Sequence, residues 1–94
     1  MKTMTTEWKI TEHLQTREER EAYLNAAFED GDPEVISAAL GDIAEAEGLA
    51  NVAQKTGIAS ESLKEAFAPG ATPAWQTILK IIKSFGFNLR AACL

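Results

Sequence analysis

Cysteine and histidine are nearly absent from this 94-residue chain, which holds one of each, Cys93 and His13. A single cysteine makes no intrachain disulfide, and one cysteine with one histidine cannot build a zinc site. A reducing, cytoplasmic setting is therefore expected, with no metal and no cofactor. Long apolar runs are missing as well. Charge interrupts them every few residues, far short of the roughly 20 apolar residues of a membrane helix, and Met1 to Glu7 lacks the apolar stretch of a secretory signal. Basic charge is scarce: nine Lys plus Arg stand against fourteen Asp plus Glu, for a net charge of -5. At face value that balance argues against a nucleic-acid partner. Catalytic constellations are also lacking. His13 lies in a polar N-terminal segment with no cue bringing it to a Ser or to Cys93. Glu45 and Glu47, two apart on a helix, face different directions and cannot share a substrate. No enzyme is expected.

What remains is an ordinary globular composition, 46% hydrophobic and 24% charged, enough for one core and one domain spanning residues 1–94. A chain of this size buries only about 60 to 65% of its unfolded surface, so a dimer partner would add stability. The charge is unevenly spread. Residues 1–47 carry four basic and twelve acidic side chains, a net of -8, and residues 48–94 carry five and two, a net of +3. Half the chain is acidic and half mildly basic, as suits either a protein meeting two different partners or one whose two halves simply show solvated helix faces. The basic half thus reopens the possibility of nucleic acid.

Helical signals dominate. Thr16-Arg17-Glu18-Glu19 is a capping box, so a helix is predicted from Arg17 to Glu29, with Tyr23, Leu24, Ala27 and Phe28 inward and Gly31 ending it. Asp32-Pro33 provides an N-cap followed by proline at the first helical position. The helix behind it repeats Ile36, Ala39, Leu40 and Ile43 at a 3.6-residue period and closes at Gly48. Leu49 to Thr56 and roughly Ser60 to Phe67 read as two short helices around Gly57. Thr72-Pro73 repeats the cap-then-proline pattern ahead of an apolar face of Trp75, Ile78, Leu79, Ile82 and Phe85, on which Trp75 is expected to be a core residue. Weak alternation over Phe87 to Ala91 is compatible with a short strand, paired across a two-fold axis. Residues 1–15 form an N-terminal arm and 87–94 a tail.

The segment from Val52 to Ala66 has the spacing of a helix-turn-helix. Ala53 is the small residue where the helices meet, Gly57 tolerates positive φ in the turn, Leu63 is the hydrophobe beyond it, and Ile58 anchors between them. Such a unit, here residues 49–67, lays its second helix in the DNA major groove. Short helical hairpins with Ala and Gly also occur in unrelated bundles, so spacing alone leaves DNA binding and plain packing both open.

Two longer stretches carry a resemblance: Tyr23-Leu24-Asn25-Ala26-Ala27-Phe28-Glu29-Asp30-Gly31-Asp32-Pro33 and Ala39-Leu40-Gly41-Asp42-Ile43-Ala44-Glu45-Ala46-Glu47-Gly48. With Ala53 to Ile58, Glu61-Ser62-Leu63, Thr72-Pro73, Thr77 to Lys80 and Phe85-Gly86, the chain resembles the addiction module antidote proteins over about residues 8–90. These are HigA-like antitoxins with a Cro/CI-type helix-turn-helix. The resemblance implies a compact five-helix all-α fold, a small RelE-like ribonuclease toxin as partner, and repression of the shared operon through operator DNA. It places Ser60, Glu61, Ser62 and Lys64 on the exposed side of the recognition helix, with Asn51 and Thr72 completing the DNA-facing set.

Two departures from the family pattern affect DNA reading. Ala59-Ser60 stands where Ser-Arg is usual, and Lys64-Glu65 where Tyr-Lys is usual. The first removes a guanidinium of the kind that contributes about 1 to 3 kcal/mol of base discrimination and costs roughly 1 kcal/mol at the N-cap unless Ser60 takes over the cap. The second leaves Lys64 as the only cation beside Glu61 and Glu65. Weak, salt-sensitive, dimer-dependent DNA binding is the expectation, and the alternative is an interaction module of the same fold that has lost operator recognition. For the toxin, the candidates are Trp8 as an aromatic anchor and the acidic Glu18 and Glu19, with Glu21 beside them, facing a basic ribonuclease surface. His13 and Cys93 are expected at the surface.

Overall fold

A computed structural model describes residues 10–91, so Trp8 and Cys93 lie outside the described residues. After a 3₁₀ turn, Ile10–His13, five helices follow: α1 Arg17–Asp30, α2 Pro33–Glu47, α3 Leu49–Thr56, α4 Ser60–Phe67 and α5 Trp75–Ser84. The described residues are all-α. The first two helices start where local chemistry starts them. At α1 the Glu19 amide donates to Thr16 Oγ1 at 3.0 Å, and Glu19 Oε1 accepts from the Thr16 amide at 3.1 Å. At α2 the Asp32 carboxylate accepts the Glu34 amide at 2.9 Å, with Pro33 at the first helical position. These bonds occupy amide groups that no helix can satisfy internally.

Helix α2 is the centre of the core. It packs against the 3₁₀ turn, α1, α3 and α4, while α5 lies on α3. Its Leu40, Ile43 and Ala44 are fully buried, and Leu14, Leu24, Val52, Leu63, Ile81 and Ile82 close round them. Leu14, in the segment read as an arm, is therefore a core residue. Gly41 lets the end of α4 approach α2: a Cβ there would stand 3.2 Å from Phe67 Cβ.

Three local expectations are corrected. Helix α5 starts at Trp75 rather than at Thr72-Pro73, because residues 71–74 run in irregular chain and the N-cap, Ala74, has ψ 148° and no side-chain bond. Trp75 is 63% exposed rather than core. It stands almost two turns before Ile82 on the same side of the helix, but at the helix's first residue, beyond the packed layer. Ile81, absent from the expected stripe, is fully buried instead. Residues 87–91 form no strand. The expected partner is the same segment of a second copy; in the single chain no strand among the described residues lies beside it, and an unpaired ladder leaves its backbone groups unsatisfied. Phe87 instead wraps the end of α5, its amide donating to Ile82 O at 3.3 Å while its ring packs against the core.

Candidate functional site

The two short helices α3 and α4 meet through residues 57–59. Gly57 holds φ 76°, a left-handed conformation that favours glycine. Thr56 fixes the approach: its hydroxyl donates to Val52 O at 2.8 Å and accepts the Ile58 amide at 3.2 Å. Ile58 is half-buried against the core, and Val52 and Leu63 are fully buried, so the pair is held from beneath by apolar contact. Ala59 is the N-cap of α4 and makes no side-chain bond, so Ser60 does not take over the cap; it is the first helical residue.

This arrangement leaves Glu61, Ser62, Lys64 and Glu65 exposed on α4 and Ser60 half-buried at its start. Ser62 and Glu65 share the wall of a shallow hollow of about 270 Å³ with Thr72, Pro73 and Thr77. Ser62 and Thr72, singled out separately in the sequence, are thus brought together. Ser60, Glu61, Lys64 and Asn51 do not line that hollow. Asn51 is exposed, but its side-chain amide donates to Glu47 O at 3.0 Å, closing the end of α2.

Glu47 is a junction that sequence reasoning missed. Lys55 Nζ of α3 lies 3.2 Å from its Oε2, and Arg20 Nη1 of α1 lies 3.8 Å from its Oε1, a buried oxygen with no hydrogen bond. Arg20 also donates from Nε to Leu14 O at 2.7 Å. One carboxylate therefore joins α1, α2 and α3, and Arg20 extends the network to the Leu14 carbonyl just after the 3₁₀ turn. No local pattern signals it, since Lys55 lies across the Gly48 break and Arg20 one helix earlier.

On the other side, Arg17 Nη2 donates to Gly86 O at 2.9 Å, and its guanidinium stands over the Phe87 ring, 6.0 Å from the centroid. Both arginines of α1 thus make contacts within the protein, and the helix carries five carboxylates beside them. Glu19 is held by the capping box, whose amide bonds from Thr16 and Gln15 lower its pKa. Tyr23 Oη donates to Asp42 Oδ2 at 2.5 Å, and burial together with that carboxylate pushes the phenol up to about 12.

Residues 4–93 match the family model described as "Probable addiction module antidote protein". The chain belongs to the addiction module antidote family. An antidote answers to a toxin of the same module, so membership gives this antidote an antitoxin role and a cognate toxin as partner. Families of this kind are typically non-enzymatic. A Haemophilus influenzae protein described as uncharacterized is 32% identical over 84 residues, covering 89% of this chain and 87% of its own length. No solved structure matches. Among the described residues, no helix is long and apolar enough to cross a membrane.

Proposed function

We propose that this antidote neutralises a small RelE-like ribonuclease toxin and, as a homodimer, represses its own operon by binding operator DNA. The observation that carries the DNA-binding half is the α3–α4 pair, joined at a left-handed Gly57 with a polar face on the second helix. In this reading the pair is a helix-turn-helix. Helix α4 enters the major groove and offers Ser60, Glu61 and Ser62 near base edges, while Lys64 meets a phosphate and Asn51 and Thr72 flank them.

The electrostatics make such binding weak. Lys64 is the sole cation on α4, against Glu61 and Glu65, and each phosphate neutralised contributes about one unit to the salt slope. A second copy doubles the contacts. Trp75, the most exposed large apolar side chain among the described residues, supports a contact between copies, which Trp75→Lys would disrupt to give a monomer in light scattering. Fluorescence anisotropy on fragments of the upstream region tests operator binding. Low-salt binding is expected, with Lys64→Ala reducing both affinity and salt slope. Nanomolar affinity indifferent to that substitution overturns this version.

A second reading, an interaction module without operator recognition, draws support from α3. Lys55 is tied to the Glu47 carboxylate and Asn51 to the Glu47 carbonyl, leaving fewer groups to meet phosphates. It predicts toxin binding without salt-dependent binding to any upstream fragment.

A further inference from the structure

From Ala66 to Leu79, fourteen consecutive residues carry no charge, twice the length of any other such run in the chain. The run covers the end of α4, the connection after it and the first half of α5. Burial does not account for it, since Ala68, Pro69, Ala74 and Trp75 are all exposed. An open stretch depleted of charge around an aromatic residue has the composition of an interface core. Trp75 is 63% exposed, well beyond Val35 and Leu89, the other large apolar side chains left open. The same stretch forms one wall of a hollow of about 330 Å³ against the start of α2. Pro33, Ala38, Phe67 and Pro69 make its lining largely apolar, and Glu34 and Ser37 bring oxygens to it. Trp75 does not line this hollow, but Thr72 does. Three residues of chain span no more than roughly 11 Å, so the protruding ring stands close beside the recess.

We infer that this hollow receives Trp75 from a second copy of the chain. A protrusion and a recess lying side by side are self-complementary. A two-fold axis between them seats both rings at once, so the contact closes as a dimer instead of extending into a filament. The recess suits an indole on two counts. Its lining matches the apolar ring, and a buried indole N–H needs an acceptor, which the Ser37 hydroxyl or the Glu34 carboxylate supplies. A tryptophan set into such a pocket is the kind of side chain that carries most of an interface's binding energy. The inference rests on the homodimer reading and assigns a surface to it. An axis beside the connection between α4 and α5 also sets one copy of α4 on either side, as two half-sites on DNA require.

The test uses the full chain in sedimentation equilibrium, where the wild type is expected to dimerise reversibly. Trp75→Lys removes the ring and Ala38→Glu puts a charge into the hollow, and each is expected to weaken the dimer by at least about tenfold. Both positions are exposed, and an unchanged far-ultraviolet circular dichroism spectrum verifies that the fold survives. Mixing the two variants is expected to restore a dimer, because one ring then meets an intact hollow while the new lysine faces the new glutamate at the other contact. Loss of folding does not produce that recovery. A wild-type dimer that Ala38→Glu leaves intact, or variants that fail to recover on mixing, overturns the inference and leaves the homodimer reading standing, whereas a wild type that stays monomeric at its highest soluble concentration removes both. In a Trp8→Phe background, Trp75 fluorescence that shifts to the blue only on adding the protein encoded by the adjoining reading frame assigns the ring to that protein and also overturns the inference.

Discussion

Arg20 is the side chain whose removal the structure makes most costly outside the apolar core. Its Nε donates to Leu14 O at 2.7 Å and its Nη1 faces the buried Glu47 Oε1 at 3.8 Å, with the two side chains only 15% and 17% exposed. A charge-assisted hydrogen bond of this kind contributes about 1.5 to 3 kcal/mol. Arg20→Ala also strips the near cation from an oxygen that already lacks a hydrogen bond. The two losses overlap, so a destabilisation of about 2 to 3 kcal/mol is expected. For a domain of this size that lowers Tm by roughly 10 to 20 °C. Lys55→Ala is the internal control. Its side chain is 53% exposed, and a pair so open to solvent contributes less than about 1 kcal/mol. Urea unfolding of wild type, the two single variants and Arg20→Met with Glu47→Leu closes the comparison. The apolar pair should recover much of the loss, because it removes the stranded carboxylate along with its partner. Equal, small effects of Arg20→Ala and Lys55→Ala would refute the reasoning.

Other outcomes follow from single groups. Tyr23 is the one tyrosine in the chain, so absorbance at high pH reports it alone. Because its folded pKa is raised from about 10 to about 12, its contribution is fully present below pH 10 and is lost as pH rises through that window. Tyr23→Phe should cost about 1 to 2 kcal/mol, since it leaves the Asp42 carboxylate without that donor; no effect on urea unfolding would count against the bond. Glu19 is shifted the other way: its lowered folded pKa gives stability present above the usual carboxylate range and lost as pH falls through the folded value. Carbon-detected NMR titration should find it low in wild type and still lowered in Thr16→Ala, which keeps both backbone amide donors. Gly57→Ala meets no neighbour within 4 Å, so its cost is the left-handed backbone alone, about 1 to 2 kcal/mol, with Gly57→Asn milder.

What the sequence revealed depends on how local each cause is. The starts of α1 and α2 were legible because Thr16 with Glu19, and Asp32 with Pro33, act within three residues. The Gly57 turn was legible for the same reason. Thr72-Pro73 has the same local look, yet α5 begins later, at Trp75, behind an Ala74 N-cap that makes no side-chain bond. Trp75 shares the angular position of Ile82 and read as core, but periodicity does not report where a packed layer ends. The candidate site divides similarly. Exposure of Glu61, Ser62 and Lys64 follows from the helix period. The ties of Arg17 to Gly86, 69 residues away, and of Arg20 and Lys55 to Glu47 appear only once the chain is folded.

The antitoxin role itself is tested most directly by growth. The protein encoded beside this chain is induced alone and then with the antidote, and growth and co-purification are followed. The account predicts arrest by the neighbour alone, relief on co-expression, and a stable complex of the two proteins. A toxic neighbour whose arrest is unrelieved, or a neighbour that neither arrests growth nor binds, contradicts it.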